Sequence, residues 1–274
     1  MRTVKLAGTD LSCSRLGFGL SGLHHLLRSK DRQNLLSSAL QGGITYFDSS
    51  PFYGHGLAER ELGAFCDKQR GRILIASKFG IGANPWFNRF PLLMHSRLAA
   101  NAALRRLTRH RSFVVAKRYD YGASSAIAAL HRSLRALRTD HIDILYLHDP
   151  TLARLAEPES LFKALEDLRV SGKIRYFGLA GNVHDCLDIL RRSPLAGCLL
   201  QVDAAPGNQE LELLNASSVP FHSSYGHFRG TQGSIRDALA GAVIANREGV
   251  LLFSTRRAGR IGEMVQLLTS LEPP

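Results

Sequence analysis

Four side chains of this 274-residue chain have types suited to moving a proton onto or off a substrate oxygen. Asp48 closes the run Ile44-Thr45-Tyr46-Phe47-Asp48, and Tyr53 follows in Phe52-Tyr53-Gly54-His55-Gly56. Lys78 closes Ile75-Ala76-Ser77-Lys78, and His148 closes Leu145-Tyr146-Leu147-His148. Each alone has an ordinary explanation: a capping aspartate, a packed tyrosine, a solvated lysine, a loop histidine before Asp149-Pro150. Together they have a chemical rationale. Tyrosine titrates near pH 10, at about its model-peptide value, so at neutral pH it is an available acid and a poor base. A neighbouring ammonium favours the phenolate, so Lys78 is expected to lower that value. Asp48 would keep Lys78 charged and fixed in a dry pocket, and His148 would orient a carbonyl or relay a proton, according to its protonation state. Such a set protonates the alkoxide formed when a hydride reaches a carbonyl carbon or, run backward, deprotonates an alcohol.

The elements that would carry these residues alternate. Eight short β-rich runs are expected at Arg15–Gly19, Ile44–Asp48, Arg72–Ser77, Ile142–Leu147, Arg175–Ala180, Cys198–Val202, Val219–His222 and Val250–Ser254. Several are almost continuously apolar, which suits strands covered on both faces. Helical stretches are expected at 31–41, 57–68, 122–138, 159–171, 183–192, 208–216, 233–247 and 259–271. Leu130, Leu134 and Leu137 trace one buried stripe, and Gly42-Gly43 and Gly172 mark helix ends before strands. Eight strand–helix units in one chain of this length predict a single (β/α)8 barrel spanning residues 1–274, with Val4–Cys13 as an N-terminal hairpin. An open doubly wound sheet is the competitor, and no GxGxxG joins the first strand to the first helix. Residues 80–118 break the rhythm and read as an insertion after the third strand that shapes the substrate pocket. In a barrel the carboxyl ends of the strands converge on one face, so the four residues would share a site.

Composition narrows the partners. Lys and Arg number 35 against 23 Asp and Glu, a formal charge of +12. One basic cluster (Arg97, Arg105, Arg106, Arg109, Arg111, Lys117, Arg118) reads as a solvated helical face, because no aromatic residues interleave with it for base stacking. No nucleic-acid partner is expected, since no helix-turn-helix or zinc motif appears. No apolar run approaches the roughly 18 residues of a membrane span, and the first residues lack the apolar core of a secretory signal. The four scattered cysteines form no CxxC or Cys/His cluster, which points to a reducing cytoplasm and no metal site.

Several stretches resemble the aldo-keto reductase superfamily: Phe47-Asp48-Ser49-Ser50, Tyr53-Gly54-His55-Gly56-Leu57-Ala58-Glu59-Arg60, Ser77-Lys78, Leu147-His148-Asp149-Pro150, Leu134–Asp143 and Gly172–Leu179. The resemblance runs in order over most of the chain. It implies Tyr53 as general acid/base with Asp48, Lys78 and His148 completing a tetrad, and a nicotinamide cofactor extended across the barrel mouth. It also implies that Gln201 and Asn182 hold the carboxamide, although Ala180-Gly181-Asn182 stands where relatives carry Ser-Asn. Ser223 matches the serine of the pyrophosphate loop. Ser254, Thr255, Arg256 and Arg260 follow the eighth strand, where barrels hold phosphates, and their guanidinium forks suit a 2′-phosphate, favouring NADP(H) over NAD(H).

The reaction implied interconverts a small aldehyde, ketone or sugar with its alcohol. Two alternatives remain at this level. One is a sugar or pyridoxal-type dehydrogenase working mainly in the oxidative direction; the other is a catalytically silent relative acting as a binding or regulatory subunit. Phe52, Trp86, Phe87, Phe90, Tyr225 and Phe228 predict a partly aromatic pocket, left open by a chain that ends soon after its last helix.

Overall fold

The computed structural model describes residues 1–84, 86–87, 96, 117–205, 214, 217, 219–230 and 233–272. A two-stranded antiparallel hairpin, β1 (Thr3–Lys5) and β2 (Ser12–Ser14), opens the chain. Eight parallel strands then close a barrel: β3 (Leu16–Gly19), β4 (Tyr46–Asp48), β5 (Leu74–Phe79), β6 (Ile142–His148), β7 (Ile174–Gly181), β8 (Leu199–Asp203), β9 (Ser223–Tyr225) and β10 (Val250–Phe253), with β10 paired to β3. The helices described around it are α1 (Ser29–Gln41), α2 (Leu57–Cys66), α3 (Ala123–Leu137), α4 (Pro158–Val170), α5 (Val183–Arg192), α6 (Ile235–Ala245) and α7 (Ala258–Leu271). The (β/α)8 architecture is the one read from the alternation. Of the expected helix at 208–216 only Leu214 is described, and it is helical; Phe90 and the basic cluster from Arg97 to Arg111 lie outside the described residues.

Alternation along each strand sorts the side chains into two apolar layers. Tyr46, Ala76, Ile144, Tyr146, Ala180, Leu199, Val250 and Leu252 fill the barrel bore. Phe47, Ile75, Leu145, Leu147, Leu179, Leu200, Val202 and Leu251 face the helices, where they meet Leu130, Leu134 and Leu137 of α3. Being apolar toward both layers is what makes the strand runs nearly continuous in the sequence. At the closed end, Arg15 is fully buried; it pairs with Glu272 beyond α7 and donates to the carbonyls of Asn246 and Gly249. Among the described residues, no helix is long and apolar enough to cross a membrane.

Two expectations need correction. The seventh strand is Ser223–Tyr225, not Val219–His222. Main-chain pairing decides its position: Gln201 lies opposite Ser223 and Asp203 opposite Tyr225, while Val219 and Phe221 pack on the outer layer. Apolar content pointed to the wrong half of this segment because the true strand is serine-rich. Second, Lys117 and Arg118 are not on a helical face. They form a neck in which Ile81 bridges Tyr119, with Gly82 N–H donating to the Arg118 carbonyl at 2.9 Å. The chain that leaves β5 therefore returns beside its point of departure, at the carboxyl end of the barrel.

Candidate active site

Register brings the tetrad together. Asp48 lies opposite Ala76 of β5, and Lys78 is two residues further along the same face, so both side chains enter the mouth of the bore. Lys78 Nζ stands 2.5 Å from Asp48 Oδ1, and both side chains are almost fully buried. The ammonium also donates to the Ser49 carbonyl and to the Tyr53 hydroxyl, each at 3.2 Å. Tyr53 starts a short 3-10 turn, Tyr53–Gly56, in which Gly54 takes φ 58°. A Cβ on Gly54 would lie 2.5 Å from His24 Cβ, so glycine here lets the turn press against the Leu20–His25 segment and aim Tyr53 inward. His148 ends β6, its ring perpendicular to that of Tyr53 with centroids 5.9 Å apart.

The electrostatics differ from expectation at Tyr53. Burial, reinforced by the charges of Asp48 and Asp149, pushes its hydroxyl well above the usual tyrosine value. A lowered value was expected from Lys78; removal from water and two carboxylates outweigh that ammonium, whose charge is already shared with Asp48. Tyr53 thus holds its proton at neutral pH. Because its oxygen accepts from Lys78, that proton is free to be given to a substrate.

His148 is pushed down to about 3, by burial first and then by Lys78, with Lys117 adding to the effect and Asp149 opposing it. It is neutral at physiological pH. Ser50 Oγ accepts from Phe52 N–H at 3.1 Å and lies 3.3 Å from His148 Nδ1. With Ser50 as the donor in that contact, the hydrogen of the neutral imidazole is on Nε2 and can be given to a carbonyl oxygen.

The tetrad opens into a cavity of about 570 Å³ that reaches from Tyr53, Lys78 and His148 past Gln201, Tyr225 and Phe228 to Ser21 and Ser254. Gln201 is buried in its wall and donates from Nε2 to Asp48 Oδ1 at 2.9 Å, leaving its amide oxygen available. Ser254 lines the far end, hydrogen-bonded to the Gly19 carbonyl and 3.2 Å from Ser21 Oγ. Thr255 accepts from the Arg257 N–H, and Arg256 is exposed beside it. Arg260 pairs with Glu263 at 3.0 Å. Asn182 caps α5 through bonds from the His184 and Asp185 N–H groups and does not line the cavity. Ser223 is fully buried within the barrel, away from the mouth.

Sequence reasoning did not place Lys117 and Asp149 in this cavity. Lys117 Nζ is 2.8 Å from Asp149 Oδ2 and 5.7 Å from the centroid of Phe52, whose ring meets that of His148 edge-on. The signal available was Asp149-Pro150 directly after His148, which reads equally as an ordinary turn.

Glu59 on α2 is buried behind Lys78, where Ser77 Oγ donates to it at 2.6 Å. Burial raises its carboxyl from the ordinary range to about 7, against the pull of Ser77 and of Arg132 and Lys78. The folded chain therefore binds this proton more tightly than the unfolded one. Its contribution to stability is complete below the unfolded value of about 4.3 and is lost as pH rises through 7. Glu59→Gln, which keeps an acceptor for Ser77, should gain in Tm relative to the parent as pH rises from 5 to 8. A Tm difference independent of pH would refute this.

Residues 15–214 match the family model described as the aldo/keto reductase family. The chain belongs to the aldo/keto reductase family. The match ends before Ser223 and the Ser254–Arg260 segment. A D-threo-aldose 1-dehydrogenase from a Pseudomonas species is 31% identical over 186 residues, covering 66% of this chain and 54% of that protein. The pyridoxal 4-dehydrogenase of Microbacterium luteolum is 28% identical over 191 residues, covering 65% and 54%. The chain thus spans about half the length of these curated relatives. The barrel superposes on the holo form of an aldo-keto reductase from Bacillus halodurans with a TM-score of 0.75 at 19% identity, covering 98% of this chain and 91% of that one. An aldo-keto reductase from Klebsiella pneumoniae in complex with NADPH gives 0.68 at 20% identity, covering 97% and 89%.

Proposed function

We propose that this family member is a nicotinamide-dependent oxidoreductase that interconverts a small carbonyl compound and its alcohol, with Tyr53 as the general acid/base. The observation that carries the reading is the Lys78 ammonium held between Asp48 and the Tyr53 hydroxyl in the wall of an open cavity. The cavity fits an extended nicotinamide cofactor: Gln201 presents an amide at the tetrad, and Ser21 and Ser254 present hydroxyls at the far end. A nicotinamide held there would supply the hydride to the substrate carbon or accept it. Tyr53 gives its proton to the substrate oxygen in reduction and takes it back in oxidation, while Nε2–H of His148 fixes the direction of that oxygen. Lys78 stabilises the tyrosinate left behind, and Asp48 holds Lys78 in place.

Arg256 and Ser254 favour a 2′-phosphate, hence NADP(H) over NAD(H). Arg260 adds less, because Glu263 already engages it. Asn182 caps α5, and neither it nor Thr255 nor the buried Ser223 lines the cavity, so the cofactor reading rests on Gln201, Ser254 and Arg256. The Klebsiella neighbour bound to NADPH and the two dehydrogenases named above accord with this chemistry.

The test is a fluorescence titration with NADPH and with NADH, followed by turnover on a panel of aldehydes. Binding of NADPH at least about tenfold tighter than NADH, with turnover, is expected, a difference of about 1.4 kcal/mol. If neither cofactor binds, the assignment is overturned.

A further inference from the structure

A second cavity, of about 740 Å³, lies outside the barrel mouth, in the groove between α2 and α3. The two helices close on each other at Gly63, where an added Cβ would collide with the Ala136 carbonyl oxygen. From Ala136 the groove extends to the neck at Ile81, and Phe79, Ile81 and Ala129 supply the apolar part of its lining.

Much of the remaining lining is cationic. Arg60 enters from α2, and Arg132, Arg135 and Arg138 from α3 and its C-cap. Residues three apart are neighbours on a helix surface, and Arg132 to Arg138 spans about 9 Å along the axis. Two acids share the cavity, and neither answers these charges. Asp120 accepts from the Gly122 N–H at 3.0 Å and from the Ser125 hydroxyl at 2.5 Å. Glu59 is buried against Ser77, and with its carboxyl raised to about 7 it is only partly ionised at neutral pH. Among the described residues, Arg132, Arg135 and Arg138 have no ion-pair partner. Arg138 also closes α3 with φ 53°, a left-handed conformation in which helices usually place glycine or asparagine. A cation suits a helix C-terminus, but Arg135 already stands in the last turn. A side chain kept on strained backbone points to a use for that side chain.

We infer that the groove between α2 and α3 binds an organic polyphosphate, its phosphates on the arginines and its body on the apolar lining. Guanidinium forks match phosphate oxygens in pairs. Three of them strung over about 9 Å suit more than one anionic group, and a single carboxylate would leave most of them unused. The volume of about 740 Å³ falls within the roughly 300–1,000 Å³ of small-molecule sites. No residue lines both this cavity and the one at the tetrad, so the site stands whether or not the oxidoreductase reading does.

The probe is ADP, titrated by calorimetry with NADPH in excess so that the barrel mouth is filled. The parent should bind one ADP, and more tightly than inorganic pyrophosphate, which has no body to lay on Phe79 and Ile81. Replacing Arg132 and Arg135 together by alanine should weaken ADP at least about tenfold. Both side chains are exposed, so this variant should keep the parental Tm. Arg256→Ala at the mouth, and Arg247→Ala beyond α6, should bind ADP as the parent does. A loss in Arg256→Ala would place ADP in the mouth instead. An equal loss in Arg247→Ala would mean general attraction to a chain of charge +12. Either result, unchanged affinity in the double variant, or no saturable binding to the parent would overturn the site. Failure of NADPH itself to bind would count against the oxidoreductase reading alone, because the arginine variants still locate ADP.

Discussion

Tyr53→Phe is expected to lower kcat by about two to four orders of magnitude, the usual worth of a positioned proton donor. The phenylalanine keeps the ring and its perpendicular contact with His148, so the pocket should retain its shape. What is lost is the one hydroxyl that accepts from Lys78 while presenting a proton to the cavity. His148 cannot substitute, because with its pKa pushed down to about 3 it is a neutral hydrogen-bond donor and not a proton source at pH 7. Cofactor affinity should stay within a few-fold of the parent, so the loss belongs to the chemical step. Steady-state turnover together with fluorescence binding checks both halves. A variant that binds cofactor and retains more than about a tenth of parental kcat would remove Tyr53 from its role.

Asp48→Asn should be the most damaging single change for stability at the site. It leaves the Lys78 ammonium, 2% exposed, facing a neutral amide where a carboxylate stood 2.5 Å away. Breaking a buried pair from one side costs about 3–5 kcal/mol, because the remaining charge is neither paired nor hydrated. In a chain of this size that corresponds to a fall in Tm on the order of 10 °C. Gln201 also loses its charged acceptor, so the wall of the cavity loosens with the pair. Asp48→Leu combined with Lys78→Met should recover part of the lost stability while remaining inactive, since removing both charges removes the orphan. Thermal unfolding of the three proteins decides this. A Tm within about 2 °C of the parent for Asp48→Asn would mean that the pair is solvated and that Lys78 is not held by it.

The barrel was legible because its strands must be apolar toward both the bore and the helices, which writes Ile142–His148 as an almost unbroken run. The four catalytic candidates were legible for a related reason. Each stands at the end of such a run or just beyond it, and closure of the barrel alone brings those ends together. Where the strand is polar the signal fails, as at Ser223–Tyr225, whose place is set by hydrogen bonds to its neighbours. Gln201 could be picked out as a polar residue in a buried strand, but its bond to Asp48 crosses the barrel and has no local trace.

Tyr53 shows the division most clearly. The sequence by itself determined its partners, since Asp48, Lys78 and His148 sit at recognisable strand ends. Only the tertiary structure decided how it titrates, because the degree of burial and the nearness of Asp149 are sums over the whole fold, and they raise the hydroxyl where Lys78 alone would lower it. The same holds for Lys117. Its charge was plain in the chain, but its position at the mouth depends on the neck between Ile81 and Tyr119, the Tyr121 hydroxyl and the space left by Gly181. Periodicity and composition report what a segment buries; which charged groups meet across the mouth is fixed by contacts between segments far apart in sequence.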